Sequence, residues 1–203
     1  MRTWFDSKRG DTWSYLVDGD TAEIRAFRTL LYCDMVSIPY VLDGIRVTGI
    51  GSDVFACMRD LDKVMIPNSV TVIGDWAFRG CTKLPVVTIP DSVMSIGYGT
   101  FWGCWSLKNV SIPDSVTKIR ESAFRHCQGL TSVTIGNDVM SIGDEAFADC
   151  VNLKCIEIPN SVTWIGENVF RGCTQLTRVS MPERFKSIEL TLGCLDSCKI
   201  TYT

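Results

Sequence analysis

The sequence has little of what marks a nucleotide-dependent enzyme or a membrane protein. It contains one histidine, His126, and no phosphate-binding motif of the form G-x-x-x-x-G-K-[ST] or G-x-G-x-x-G. No apolar run approaches the roughly 18 residues of a transmembrane helix. Residues 1–15 lack the apolar core of a secretory signal peptide. We therefore expect no membrane insertion and no phosphate-binding site.

The chain also lacks a large excess of positive or negative charge. The chain has 20 Lys and Arg against 23 Asp and Glu, a net charge of -3 and a pI near 5.2. Nucleic-acid-binding domains are usually basic, so we expect no nucleic-acid partner. With 46% hydrophobic residues, a chain of 203 residues can bury a sizeable core as one domain.

A repeat of 23 residues organises most of the chain. Five consecutive blocks start with IPNSVTVIGDWAFRGCTKLPVVT at Ile66 and end at Ser180. Seven columns of apolar residues recur, represented in the first block by Ile66, Val70, Ile73, Phe78, Cys81, Leu84 and Val87. A coil of this size cannot bury seven apolar side chains by itself, so successive coils must stack. The fixed period therefore predicts a solenoid.

Each coil has three predicted parts. The segment L-x-x-V-x-I-P alternates apolar and variable residues, which predicts a half-buried strand that stacks in parallel with its neighbours. Ile-Gly predicts a second short extended piece. The A-F-R-G-C segment is too short for a full helix and predicts one helical or 3-10 turn, ended by Gly80, Gly103 and Gly172.

Both ends of the chain depart from the 23-residue pattern. Residues 1–11 are polar and are expected to be loose, whereas two alternating runs around Asp18-Gly19-Asp20 predict a β-hairpin that covers the open end of the solenoid. The spacing of the L-x-x-V-x-I-P strand is first matched at Cys33, before the five clear repeats, and the coil that follows contains an insertion near 42–44. Lys199–Tyr202 is predicted as a final strand. The predicted division is an N-terminal tail and hairpin cap over 1–32, repeats over 33–180, and a degenerate C-terminal capping repeat over 181–203.

The unit L-x-x-V-x-I-P-x-S-V-x-x-I-G-x-x-A-F-x-x-C resembles the BspA-like, or type-5, leucine-rich repeat over most of the chain. The departures, which leave the core pattern intact, are Gly136 for Pro, Arg120 for Gly, and Thr100 and Val169 for Ala. The resemblance implies a leucine-rich-repeat solenoid, mostly β and irregular, with a parallel sheet on the concave face. It also implies a cell-surface or secreted adhesion protein. The lack of a signal peptide in this chain leaves a cytoplasmic location open.

The ten cysteines do not look like a disulfide framework. Five occupy one repeat column, where equivalent side chains run parallel and cannot pair off in bridge geometry. They are Cys81, Cys104, Cys127, Cys150 and Cys173. We interpret them as buried free thiols that pack as small hydrophobes. A Cys194–Cys198 or Cys33–Cys57 bridge remains an alternative in an oxidising compartment. The spacings are not those of a zinc site, so no metal is expected.

The residues do not predict catalysis or a cofactor. His126 adjoins Cys127, but adjacent residues on a turn point apart, and a nucleophilic pair must face each other. The recurring carboxylates are more typical of a column that caps or solvates the short turn. They are Asp75, Glu121, Asp144 and Glu167. We expect a protein that is not an enzyme.

The outward strand positions form the first candidate binding surface, because solenoids bind along the concave sheet. One column contains Lys63, Val86, Asn109, Ser132, Cys155 and Arg178, and the next contains Met65, Thr88, Ser111, Thr134, Glu157 and Ser180. These residues suit a protein or glycan partner. An ordinary solvated face, with Thr and Ser favoured by β-propensity, explains them equally well.

An aromatic patch is the second candidate. Tyr98, Trp102 and Trp105 lie at variable positions of one coil, and Arg79 and Arg125 flank Trp102 in its column. Such residues are enriched at binding hot spots. A surface ladder of Arg stacked on Trp is the interpretation that we favour. The leading hypothesis is a monomeric, non-catalytic scaffold for protein binding or adhesion, and the alternative is a structural or intracellular interaction module.

Overall fold

The computed structural model describes residues 1–29, 33–193 and 198–203 as a solenoid of about seven turns. Its strands are β1 (Arg2–Asp6), β2 (Asp11–Asp18), β3 (Thr21–Thr29), β4 (Met35–Ser37), β5 (Val41–Leu42), β6 (Ile45–Ile50), β7 (Lys63–Met65), β8 (Val72–Ile73), β9 (Ser95–Ile96), β10 (Asn109–Ser111), β11 (Lys118–Ile119), β12 (Ser132–Thr134), β13 (Ser141–Ile142), β14 (Cys155–Glu157), β15 (Trp164–Ile165), β16 (Arg178–Met181) and β17 (Lys199–Tyr202). One 3-10 helix, η1, spans Glu183–Thr191. The leucine-rich-repeat fold expected from the repeat is confirmed.

Two parallel sheets run along the solenoid. The predicted L-x-x-V-x-I-P strands form the concave sheet, in the pairs β4–β7 and β10–β12 and the trio β14–β16–β17, with a bridge from Val86 to Asn109. The Ile-Gly segments form the second sheet, in the order β3-β6-β8-β9-β11-β13-β15. Its register aligns one isoleucine of each coil with the next, as in Ile73 opposite Ile96. Between regular coils both sheets keep a register of 23 residues, whereas β4 and β7 are offset by 28 residues and β16 and β17 by 21.

The N-terminal cap is a three-stranded antiparallel sheet. The predicted hairpin is present as β2 and β3, and β3 continues into the second sheet by parallel pairing with β6. The expectation that residues 1–11 are loose is wrong, because β1 pairs with β2 from Arg2 opposite Tyr15 to Asp6 opposite Asp11. Antiparallel strands tolerate one wet face, so the polar composition of β1 does not prevent pairing.

The insertion near 42–44 is a small hairpin. β5 and β6 pair antiparallel around Asp43 and Gly44, which both have positive φ. The hydroxyl of the buried Tyr15 donates a hydrogen bond of 2.5 Å to Oδ2 of Asp43. The insertion therefore ties the N-terminal cap to the first coil.

The A-F-R-G-C segment is a run of tight turns whose amides alternate between two roles. The N–H groups of Ala77 and Arg79 donate within the coil to residues three positions earlier, whereas those of Trp76 and Phe78 donate to carbonyls of the next coil. Residues at the Trp76 and Gly80 columns have positive φ in every regular coil, a conformation that favours glycine. The segment thus joins neighbouring coils through backbone hydrogen bonds. In a continuous helix these N–H groups would donate within the helix and could not reach the next coil.

The core is a stack of phenylalanines flanked by cysteines. Six buried rings, Phe55, Phe78, Phe101, Phe124, Phe147 and Phe170, follow one another with centroid separations of 5.1–6.2 Å and interplanar angles of 14° or less. Each thiol of the repeat column donates a hydrogen bond of 3.1–3.2 Å to a phenylalanine carbonyl of the preceding coil. Burial raises the pKa of Cys81 and Cys173 to about 12 and raises the pKa of Cys104, Cys127 and Cys150 well above the ordinary value.

Of the two disulfide bridges kept as alternatives, the Cys33–Cys57 bridge is absent. Cys33 and Cys57 are both free thiols. Cys194, a member of the other pair considered, lies outside the described residues. At the C-terminal end, the predicted strand Lys199–Tyr202 is present as β17 and pairs in parallel with β16.

The glycine of the Ile-Gly segment lies against the preceding coil. A Cβ added at Gly143 would lie 2.4 Å from the amide nitrogen of Glu121 and 2.7 Å from the carbonyl carbon of Arg120. These contacts are with backbone, which cannot rotate away as a side chain can. We expect Gly143→Ala to lower the free energy of unfolding by about 2 to 3 kcal/mol, measured by urea denaturation. The matched control is Arg120→Ala in the same column, which removes an exposed ion pair with Asp75 and should cost less than about 1 kcal/mol. Equal costs would contradict the close-contact explanation.

Candidate binding surfaces

The concave sheet presents two columns of side chains to solvent. Lys63, Asn109, Ser132, Cys155 and Arg178 are exposed at the first strand position, and Met65, Ser111, Thr134 and Glu157 are exposed at the third. Val86 and Thr88 are also exposed, while Ser180 is half-buried. The residue between the two columns points into the core, as the alternation predicts.

The floor of this face is shallow and polar. Asn109 Oδ1 accepts hydrogen bonds from the hydroxyls of Ser132 at 2.7 Å and Thr131 at 3.2 Å. An open groove of about 520 Å³ runs beside Thr134 and Glu157. Because the outward positions of β10 and β12 include Ser111, Ser132 and Thr134, an extended segment can approach this part of the sheet closely along the solenoid axis.

The predicted aromatic patch divides into two parts. Tyr98 and Trp102 pack edge-to-face against Trp76, with centroid distances of 4.7 and 6.3 Å, and Trp102 packs against His126 at 5.2 Å. Trp105 lies apart, on the segment that leads into β10, and is 55% exposed. The aromatic cluster therefore consists of Trp76, Tyr98, Trp102 and His126.

Trp76 was missed in the sequence because its own column gives no aromatic signal. The next member of that column is Gly99, and a Cβ there would lie 2.2 Å from Cζ3 of Trp76. The Trp76 ring thus occupies the space that Gly99 leaves empty. A large residue followed one period later by glycine was the available signal.

The expected stacking of Arg on Trp102 is wrong in detail. The Arg79 guanidinium lies over the Trp76 ring of its own coil, 5.5 Å from the centroid. Arg125 instead forms an ion pair with Glu145 and approaches Asp149 at 3.7 Å. Carboxylates of the following coil attract this guanidinium more strongly than a ring would, since opposite charges interact directly.

A charge network continues the aromatic cluster toward the C-terminal coils. Glu145 also pairs with Arg171 at 2.7 Å, and Asp149 lies 3.5 Å from Nδ1 of His126. Most side chains on this turn face therefore have partners within the protein. Such internal pairing makes this face a weaker candidate for partner binding than the concave sheet.

His126 and Cys127 do not form a catalytic pair. The imidazole faces Asp149, whereas the Cys127 thiol is buried and donates to the Phe101 carbonyl at 3.1 Å. Within 1–29, 33–193 and 198–203, no group of three or more His, Cys, Asp or Glu side chains is placed to hold a metal ion. Among the same residues, no helix has the length and apolarity needed to cross a membrane.

The BspA type leucine rich repeat region matches residues 48–123 and 95–203, in six copies. The chain belongs to the BspA-type leucine-rich repeat family. No curated protein shows significant sequence similarity to the chain.

Solved structures of bacterial leucine-rich repeat proteins are similar to this BspA-type chain. A T. pallidum leucine-rich repeat protein, TpLRR, is 28% identical, with a TM-score of 0.55 over 86% of this chain and 70% of that one. A leucine-rich cell surface protein of Faecalibacterium prausnitzii is 30% identical, with a TM-score of 0.64 over 88% of this chain and 54% of that one. The pneumococcal vaccine antigen PcpA shares the fold at 22% identity, with a TM-score of 0.69 over 90% and 50%. The chain thus spans about half the length of the last two.

Proposed function

We propose that this BspA-type protein is a non-catalytic scaffold of the adhesion type, which binds a partner protein through its concave sheet. The observation that carries the proposal is the exposure of the outward columns from β7 to β16, apart from the half-buried Ser180, with small residues at β10 and β12 that leave the sheet open to an approaching chain. The turn face is a poorer candidate, because Trp76, Tyr98, Trp102 and Arg125 already contact one another or charged neighbours.

A cell-surface location forms part of the proposal. The similar Faecalibacterium prausnitzii protein is described as a leucine-rich cell surface protein. A polar, mixed concave face also suits recognition of another protein, since interfaces of non-obligate complexes are about as polar as the remaining surface. We therefore expect partners among host, matrix or other cell-surface proteins.

The test is binding of the purified protein to a panel of immobilised extracellular-matrix proteins, followed by biolayer interferometry. For any partner found, Ser111→Tyr/Thr134→Tyr should weaken binding at least about tenfold, because two bulky rings would stand on the outward face of β10 and β12. The matched control is Met94→Tyr/Met140→Tyr, which places the same rings at exposed positions outside the concave sheet and should leave affinity unchanged.

Two results would overturn this assignment. One is a partner whose affinity falls equally with both double variants. The other is a partner whose affinity survives Ser111→Tyr/Thr134→Tyr but is lost with Tyr98→Ala/Trp102→Ala, which would place binding on the turn face. Circular dichroism and thermal melting of each variant would show that the solenoid remains folded.

A further inference from the structure

Unpaired cations are concentrated along one rim of the concave sheet. Lys108 and Lys154 immediately precede β10 and β14, Arg178 begins β16 and Lys199 begins β17. We call these four residues the basic rim. All four side chains are exposed. They lie at the edge of the face to which partner binding is assigned.

The strand register places Lys154, Arg178 and Lys199 on three neighbouring strands, and Lys108 lies two strands further along the sheet. Arg178 lies directly opposite Lys199, and Cys155, the residue after Lys154, lies opposite Arg178. The backbone also links the rim, because Thr177 donates its N–H to the Lys154 carbonyl and Lys199 donates to the Thr177 carbonyl, both at 2.9 Å. From Lys108 to Lys199 the rim crosses four strand spacings, or about 19 Å.

The basic rim lacks internal neutralisation. None of its four side chains has a carboxylate within 4.0 Å among the described residues, although Arg120, Arg125 and Arg171 pair with acids elsewhere on the solenoid. Like charges directly opposite each other in a sheet are destabilising. In a chain of net charge -3, this clustering is not a consequence of excess basic composition.

The opposite rim has the opposite charge. Asp91 and Asp114 follow the strand positions on the far side of the sheet, and Glu157 ends β14. All three are exposed. A polyanion such as a sulfated glycan would be attracted by one rim and repelled by the other. A protein segment can instead direct its acidic side chains to the basic rim and leave other residues beside the acidic one.

We propose that the basic rim binds an acidic, extended segment of the partner protein, which lies along the solenoid axis on the concave sheet. This inference rests on the proposed function and specifies the chemistry of the partner. The rim length of about 19 Å corresponds to about six extended residues. Acidic side chains at alternate positions of such a segment would face Lys154, Arg178 and Lys199 together.

The probe is a fluorescein-labelled peptide of about eight residues with alternating Glu and Thr, titrated by fluorescence anisotropy in ~50 mM NaCl. We expect saturable binding that weakens at least about tenfold in ~300 mM NaCl, because salt screens exposed charges. Arg178→Gln/Lys199→Gln should weaken binding at least about tenfold. The control Lys8→Gln/Lys118→Gln removes the same two charges elsewhere on the surface, and we expect it to change affinity less than about twofold.

Three outcomes would overturn the proposal. They are absence of saturable peptide binding, an equal loss with the control variant, and tighter binding of a heparin fragment of the same charge than of the Glu-Thr peptide. The last outcome would make the rim a polyanion site.

Failure of this inference is separable from failure of the proposed function. A matrix partner that is lost with Ser111→Tyr/Thr134→Tyr but kept with Arg178→Gln/Lys199→Gln supports the concave sheet and rejects the acidic segment. Peptide binding that is lost with Arg178→Gln/Lys199→Gln, together with a matrix partner whose affinity survives Ser111→Tyr/Thr134→Tyr, supports the basic rim and rejects the proposed function.

Discussion

Raising the pH from 8 to 11 is expected to unfold the protein, with a loss of stability that approaches about 7 kcal/mol for each pH unit well above the ordinary thiol pKa. The five buried thiols of the repeat column cause this loss. Each contributes about 1.4 kcal/mol per pH unit when it ionises in the unfolded chain but not in the folded one. Because domains are stable by only about 5 to 15 kcal/mol, the transition should fall between about pH 9 and 11.

The direction follows from the sign of the pKa changes. Burial removes water from the thiolates and raises the pKa of Cys81 and Cys173 to about 12, and raises the pKa of Cys104, Cys127 and Cys150 as well. The folded state therefore holds five protons that the unfolded state releases. Their stabilisation is complete below the unfolded thiol pKa of about 8.5 and is lost as pH rises from there toward about 12.

The measurement is the free energy of unfolding in urea at several pH values between 7.5 and 9.5. Cys127→Ser should reduce the slope of this free energy against pH by about 0.7 kcal/mol per pH unit on average over this range, approaching about 1.4 at its upper end, whatever its effect on stability at pH 7. Cys155→Ser, which removes an exposed thiol outside the buried column, is the matched control and should leave the slope unchanged. A slope that is the same in both variants would contradict the role of the buried column.

Replacing Phe124 by alanine is expected to cost about 3 to 5 kcal/mol of unfolding free energy. Phe124 is fully buried in the middle of the phenylalanine stack, 5.3 Å from the ring of Phe101 and 5.4 Å from that of Phe147. Its loss removes apolar burial and leaves a cavity at two coil interfaces at once. In a repeat protein the coupling between neighbouring coils supplies much of the stability, so a gap in the centre should also make unfolding less cooperative.

Thermal and urea unfolding of two further variants separates the contribution of ring stacking from that of buried area and compares a buried ring with an exposed one. Phe124→Leu keeps most of the buried area but loses ring stacking, and should cost about 1 to 2 kcal/mol. Phe5→Ala removes an exposed ring from β1 and should change stability by less than about 0.5 kcal/mol. The stacked core would be rejected as the main source of stability if Phe124→Ala were no more destabilising than Phe5→Ala.

The repeat made the fold and the concave face predictable from the sequence. Columns fixed by a 23-residue period must occupy equivalent places in successive coils. Because side chains alternate along a strand, Val110 faces the core while its neighbours Asn109 and Ser111 face solvent. The same argument placed the final strand at Lys199–Tyr202. It failed for residues 1–11, because pairing of β1 depends on the partner strand β2 and not on hydrophobic content.

The contacts between side chains of neighbouring coils were less predictable. Trp102 and Arg125 share a column, yet Arg125 pairs with Glu145 and Asp149, and Arg79 stacks on Trp76. Column membership places two Cα atoms one coil apart, but it does not determine which way a long side chain turns. That choice depends on charges and spaces supplied by other columns, such as the gap at Gly99.

The sequence by itself determined the stacking period, the buried columns and the outward columns of the concave sheet, since a strict repeat leaves one way to bury seven apolar residues per coil. The tertiary structure decided which surface groups meet. It paired the acids and bases of the turn face and enclosed Trp76 in an aromatic cluster. It also left Lys154, Arg178 and Lys199 together, with no carboxylate partner among the described residues. Burial is periodic and local, whereas surface pairing depends on distances across coils.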